Sequence, residues 1–396
     1  MESIEQMIKR LCPKGVEYVK LGDLFELRNG YTPSKGNVDF WTDGTIPWFR
    51  MEDIRANGRI LNDSIQHITP SAIKGKGLFP AGSFILATTA TIGEHALLNT
   101  DSLANQRFTN LSVRKTHQKD VNVKFLYHYM FIIDEWCKKN VNSSSFASVD
   151  MDKLKEYMIP IPPLEIQSRI VEVLDKMATL TAELEAELKA ELEARKQQYE
   201  YYRRKLLTFS EIGGGNSQVA WKKISEICVL KAGKTIKASE LSDIKDSEHQ
   251  YPCYGGNGIR GYIAKYSHEG RYAIIGRQGA LCGCVNWVEG KFYATEHAVV
   301  CTPKTLSDTR FLYFLFTNEN LNRYKSQGAQ PGLSVANLNN IMLPIPPLSE
   351  QQRIVSILDR FEALTADLQS GLPAEIEARR QQYEYYRNKL LTFDAV

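Results

Sequence analysis

The sequence predicts an α/β chain, in the α+β sense, of two similar globular domains separated by two long helices. The helices are expected to form an antiparallel coiled coil, giving one polypeptide an approximate two-fold symmetry. Three observations predict it. Residues 160–209 and 344–393 are two gapless copies of one passage, identical at 33 of 50 positions. Each copy carries apolar residues at alternating steps of three and four, the stripe of a helix that packs on another helix. Each follows a stretch of short apolar runs broken by glycines, the pattern of strands and tight turns.

In chain order, residues 1–159 read as the first globular domain and 160–209 as the first helical region; 210–343 and 344–396 repeat that order. Both helical regions open on Pro-x-Pro-Pro, which holds the chain extended and marks the end of the preceding domain. The first stripe is Ile170, Val173, Met177, Leu180, Leu184, Leu188, Leu192, Tyr199, Tyr202 and Leu206. The second is Ile354, Ile357, Phe361, Leu364, Leu368, Leu372, Ile376, Tyr383, Tyr386 and Leu390. Arg195 and Arg379 hold the one polar stripe position. Successive steps of four from Leu180 to Leu192 form a stutter, which locally unwinds a supercoil. Gly371 and Pro373 interrupt the second copy, where a kink or a fresh helical start is expected.

The globular segments echo each other more faintly. Residues 27–30 align with 230–233, 82–86 with 270–274, and 125–127 with 311–313. Residues 213–217, Gly-Gly-Gly-Asn-Ser, read as a flexible joint.

Composition bounds the function. Charged residues at 24% and apolar residues at 43% are ordinary for a folded soluble protein. No apolar run approaches the roughly 18 residues of a membrane span. The opening MESIEQMIKRLCPKG lacks the basic start and apolar stretch of a secretory signal, so a cytoplasmic location is expected. Seven cysteines are too sparse for a disulfide framework. Cys282-Gly-Cys284, with His297 and Cys301, fits no usual zinc spacing, and no metal is assigned. Net charge is +2 over residues 1–159 and +4 over 210–343, against −1 over 160–209 and −2 over 344–396. The positive excess is small, but it lies with the globular domains, where phosphate contacts would need it.

No fragment reads as a catalytic site. Ala232-Gly233-Lys234-Thr235 imitates a phosphate loop, but Cys228 stands where its first glycine is required. Residues 255–258, Gly-Gly-Asn-Gly, read as a tight turn. An internally doubled chain without chemistry of its own suits a target that has two halves. Duplex DNA is the first candidate.

Loops that mix basic, amide and aromatic residues can reach phosphates and base edges. In the first domain these give Lys35, Arg50, Arg55, Arg59, Lys74, Lys76, Thr89, Asn105, Gln106 and Arg107. In the second they give Lys234, Lys237, Tyr254, Asn257, Arg260, Arg277, Gln278 and His297. The helices add a second kind of site. Tyr201 and Tyr385 lie off the stripe, beside Arg203 and Lys205 and beside Arg387 and Lys389, as a protein-docking surface would place them.

The QQYEYYRxKLLTF runs at 197–209 and 381–393, the PIPPLxxQxRIV openings and the segments around Phe40-Trp41 and 251–259 carry a resemblance. The chain resembles the specificity subunits of type I restriction–modification systems. The resemblance implies two target-recognition domains, two conserved helical regions and no catalysis in this chain. It implies a complex on double-stranded DNA with a bipartite target, two methyltransferase (M) subunits and restriction (R) motor-nuclease subunits. S-adenosylmethionine, ATP and Mg are then expected in those partners, with no cofactor bound here. Two alternatives stay open at this stage. One is a specificity subunit of another restriction class with a single methyltransferase/nuclease partner; the other is a coiled-coil scaffold that does not read DNA.

Overall fold

Each proline-rich opening leads directly into a long helix, Leu164–Leu207 and Leu348–Leu390. The computed structural model describes residues 2–142, 147–209, 219–279, 281–305, 307–326 and 331–394, the side chains of 368–370 aside. The glycine-rich joint at 213–217 and the Leu368 side chain lie outside the described residues.

The first helical turn is anchored on the proline pair. The Pro163 carbonyl accepts from the Ile166 and Gln167 N–H groups, and the Pro347 carbonyl accepts from Glu350 and Gln351. At 1.5 Å per residue each helix is about 65 Å long. The second does not restart at Pro373: it runs through as one helix.

The stripe is half-buried along most of its length, with Ile170 and Ile354 fully buried, but the seam is not where apolarity alone places it. Leu180 and Leu364 are 54% and 62% exposed. The buried line passes instead through Leu174 and Leu358, which are fully buried, and through the half-buried Thr181 and Thr365. At about 100° per residue, Thr181 lies roughly 40° past Met177, whereas Leu180 falls roughly 60° short of it. A threonine is tolerated there because its hydroxyl donates back one turn, Thr181 to the Met177 carbonyl and Thr365 to the Phe361 carbonyl. Tyr386 also departs, at 41% exposed. Its counterpart Tyr202 stacks on Phe361 at 5.3 Å, but the residue matching Phe361 in the first copy is Met177, which offers no ring. Arg195 and Arg379 point outward and pair along their own helices with Glu191 and Glu375.

By contact, the chain groups into two compact units, residues 1–186 with 375–396, and residues 187–374. Unit 1 holds a five-stranded sheet in the order Phe25–Asn29, Phe108–Val113, Phe84–Ala87, His95–Leu98, Ile60–Leu61; only the last pair is parallel. Helix Val123–Lys139 packs on it through Phe125, Leu126, Tyr129 and Ile133. Ile166, Ile170 and Leu174 from the first long helix share that core with Leu391 and Phe393. Glu185 pairs with Arg380 farther along, so the two helix segments run antiparallel here.

Unit 2 repeats the plan with six strands, in the order Cys228–Ala232, Ala298–Pro303, His268–Gly276, Val285–Ala294, Tyr251–Gly255, Gly258–Ile263. Helix Thr309–Glu319 covers it, and Leu207 meets Ile354 and Leu358 in its core. Here too the long helices run antiparallel, since Tyr202 faces Phe361. Each unit is also closed by a matched strand pair, Tyr18–Lys20 with Met158–Pro160 and Ala220–Lys223 with Met342–Ile345.

The second sequence echo needs a correction. Ile85 pairs with Asn110 where Ile274 pairs with Val300, and Phe84 pairs with Leu111 where Ala273 pairs with Cys301. Phe84 therefore matches Ala273, one position on from the alignment read from sequence. In a strand that single slip exchanges the two faces.

Candidate nucleic-acid interface

The loops that leave the strands of unit 1 are tied together by main-chain hydrogen bonds. Gly30 N–H donates to the Phe108 carbonyl and Tyr31 N–H to Ala104, while Asn105 N–H donates to Phe49. Thr88 N–H donates to Arg107, and Val149 N–H donates to Thr88. Thr89 bridges to Ser148. Gly30 is required, because a β-carbon there would collide with the carbonyls of Ala104 and Asn105.

Unit 2 makes the same set. Gly233 N–H donates to Ala298, Lys234 to Ala294, Thr295 to Tyr254, Arg277 to His297 and Leu333 to Arg277, each at 2.8–3.0 Å. Gln278 bridges to Gly332, and a β-carbon on Gly233 would strike Ala294. Even the turns agree: the Asn105 side chain accepts from Arg107 N–H at 3.0 Å, and the Thr295 hydroxyl accepts from His297 N–H at 3.4 Å. Thr89, Gln106 and Arg107 thus occupy the places of Gln278, Glu296 and His297.

The predicted residues sort on this frame. Gln106 and Arg107 are exposed beside the half-buried Thr89, and Thr32 donates to the Gln106 side chain. Asn257, Gln278 and His297 line one shallow hollow of about 430 Å³ with Leu281. Arg277 and His297 each keep a buried ring or guanidinium nitrogen without a hydrogen-bond partner among the described residues, as does Arg50. The two guanidinium nitrogens are buried donors that an incoming acceptor would satisfy, whereas His297, whose Nε2 lies 3.2 Å from the Glu296 carboxylate, offers its Nδ1 as an acceptor. Lys74 and Lys76 flank a hollow of about 270 Å³ with Arg28 and Tyr31; Lys76 is 74% exposed beside Glu26. Lys35, Lys234 and Lys237 stand on exposed loops, Arg55 on an exposed helix face and Arg260 on the exposed edge-strand stretch Gly258–Ile263.

Four expectations change. Arg59 is not a free loop cation: it binds the buried Asp134 carboxylate at 2.8 Å and lies over the Phe131 ring. Asn105 shapes its turn through the bond to Arg107. The Tyr254 ring packs edge-on against Phe292 in a small core. Arg387, expected on a docking face, is only 6% exposed and sits over Phe131 and Tyr383. Its counterpart Arg203 is half-buried over Tyr199. The position matching Phe131 in unit 2 is Thr317, which has no ring to cover the guanidinium. Tyr201 and Tyr385 are 59% and 61% exposed, with Lys205 and Lys389 exposed near them.

Behind the loops of unit 1 lies a polar network that the sequence did not signal. His95 is fully buried and its Nδ1 meets Asp134 at 2.7 Å, the same carboxylate oxygen that Arg59 binds. Burial pushes the imidazole below its ordinary range, against the pull of Asp134. A neutral ring donating from Nδ1 leaves Nε2 as a bare lone pair, which costs less in a dry site than an unpaired N–H would. His128 is displaced in the same direction by burial, opposed by its bond to Asp175.

Among the described residues no three cysteine, histidine or acidic side chains gather as a metal site, and no helix is long and apolar enough to cross a membrane.

Comparison with known proteins places this frame in a family. Residues 13–194 and 216–378 match the type I restriction modification DNA specificity domain. The chain is 48% identical over 372 residues to the type I restriction enzyme EcoprrI specificity subunit of Escherichia coli, spanning 92% of each. It is 33% identical over 300 residues to a putative type I restriction enzyme specificity subunit of Haemophilus influenzae, spanning 70% of this chain and 74% of that one. The crystal structure of the HsdS subunit from Thermoanaerobacter tengcongensis shares the fold, with a TM-score of 0.63 at 16% identity over 96% of this chain and 97% of that one. A chain from a type I R-M system, solved for its complex assembly and conformational transition, gives a TM-score of 0.74 at 16% identity over 96% and 98%. With the specificity domain present twice and a close relative alike over nearly its whole length, the chain belongs to the specificity subunits of type I restriction–modification systems.

Proposed function

We infer that each unit reads one half of a bipartite duplex target and that the paired helices bring the enzymatic subunits to it. One observation carries this reading: two units hold the same loop frame by main-chain bonds, yet present different polar side chains from it. A shared frame with unlike readers is what a split, non-palindromic target asks for.

The helices would dock two methyltransferase subunits through Tyr201 and Tyr385, with Lys205 and Lys389 beside them. Restriction subunits would join the same complex. S-adenosylmethionine, ATP and Mg would act in those partners, and this chain would supply recognition alone, in the cytoplasm. The exposed lysines of the loops fit phosphates, and the amide, imidazole and guanidinium groups fit base edges.

Duplex binding by the chain assembled with its methyltransferase partner tests this. Binding should weaken steeply as salt rises, because phosphate contacts release counterions. A flat response would favour a scaffold that does not read DNA. Methylome sequencing with and without the chain would return the two half-sequences.

A further inference from the structure

We propose that the base-reading positions of the two units are structurally equivalent: Thr89 and Arg107 in unit 1, Gln278 and His297 in unit 2. This rests on the duplex-reading role above and names the side chains that set its specificity.

In each unit the two positions are locked to each other through the main chain. Thr88 N–H donates to the Arg107 carbonyl, and Arg277 N–H donates to the His297 carbonyl. The next residue, Thr89 or Gln278, bridges to a third loop at Ser148 or Gly332. Because these locks use only backbone atoms, the side chains are free to differ, and they do.

Their chemistry suits base edges. A glutamine amide presents a donor and an acceptor in one plane, matching N6 and N7 of adenine, and a guanidinium matches O6 and N7 of guanine. The fold leaves Arg107 and Gln278 open and engages His297 through one nitrogen, its Nε2 lying 3.2 Å from the Glu296 carboxylate. Arg107 and Gln278 are exposed, while the His297 Nδ1 is buried without a partner among the described residues. The hollow beside Gln278 and His297 also holds Leu281, 57% exposed, an apolar surface fit for a thymine methyl. Lys35, Lys74, Lys76 and Lys237 are exposed point charges and belong with phosphates.

The test uses the full chain with its methyltransferase partner and duplexes carrying each single-base change of the methylated target. Gln278→Ala should lower discrimination at one base pair of one half-site by on the order of ten- to a hundredfold. The other half-site should be unaffected, which also reports a folded chain. Arg107→Ala should do the same in the opposite half. Gln278→Glu keeps the shape and should move that base preference toward cytosine, whose amino group donates to a carboxylate. Lys74→Ala should weaken all duplexes alike and reduce the salt slope.

Full discrimination retained by both Gln278→Ala and His297→Ala would overturn the assignment. So would a loss spread over both half-sites, or a uniform loss resembling that of Lys74→Ala. Salt-independent binding by the unaltered assembly would instead sink the DNA-reading role itself.

Discussion

Gln167 and Gln351 make the same clasp in the two units. Each side-chain oxygen accepts from the residue that caps the domain helix, Asn122 N–H at 2.7 Å and Asp308 N–H at 2.9 Å. Each amide nitrogen donates to a carbonyl of its own proline-rich opening, Pro162 at 2.7 Å and Pro346 at 2.9 Å. Both side chains are fully buried. The clasp fixes a long helix to the globular part that precedes it. A second matched tie lies close by, Lys124 with Asp175 and Arg310 with Asp359.

Gln167→Ala should therefore destabilise unit 1 by about 1–3 kcal/mol, since it strands the half-buried Asn122 N–H and the carbonyls of Pro162 and Asp120, the latter accepting from the same amide at 2.8 Å. Gln351→Ala should do the same to unit 2. Urea unfolding followed by hydrogen exchange in each unit checks this, and an unchanged midpoint would remove the clasp from the account.

Arg59→Ala should cost stability, not base discrimination. It leaves the buried Asp134 carboxylate facing only His95, and breaking a buried ion pair costs about 3–5 kcal/mol. Arg59 is partly open to solvent, which pulls the figure to the lower end of that range. Normal unfolding with a lost base preference would return Arg59 to the DNA-contacting set.

Stability of unit 1 should fall as pH drops through about 6.5. His95 and His128 both have folded pKa values pushed down by burial. The unfolded chain then binds protons that the folded unit refuses, so the contribution is present above the unfolded pKa and lost below it. Comparing unfolding midpoints near pH 7.5 and pH 5.5 measures the slope, and His128→Gln should make it shallower.

Tyr201→Ala with Tyr385→Ala should leave unfolding within about 0.5 kcal/mol of the parent, as expected of exposed positions. Assembly with the methyltransferase should weaken. Sedimentation showing an intact complex would discard these tyrosines as anchors.

Replacing residues 20–150 with those of a relative should change one half of the methylated sequence only. The loop frame of unit 1 lies within that stretch, together with the strands that carry it. A change in both halves would contradict independent reading.

The sequence made the duplication, the helices and the family legible, because an apolar stripe and a repeat are local patterns. It misplaced the seam at Leu180, since side-chain apolarity says nothing about a threonine that back-bonds its own helix. It overcounted free cations for a similar reason, in the DNA-contacting set and on the docking face alike. Arg59 and Arg387 are spent on Asp134 and Phe131, partners far away in sequence, and one sequence does not show such pairings. The glutamines were visible as repeated letters, but the clasp depends on the caps of helices elsewhere in the fold. The equivalence of Thr89 with Gln278 rests on main-chain bonds and leaves no trace in residue identity.

The make-up of the units sets an order for folding during synthesis. Unit 2 is a continuous stretch, whereas the core of unit 1 includes Leu391 and Phe393, and Tyr18 donates to the Phe393 carbonyl. The core of unit 1 is therefore incomplete until residue 393 has left the ribosome, although most of it was made first. Until then its nascent apolar face stays open while unit 2 forms. A ribosome stalled between the two repeats would display an unfinished unit 1, exposed to chaperones and proteases.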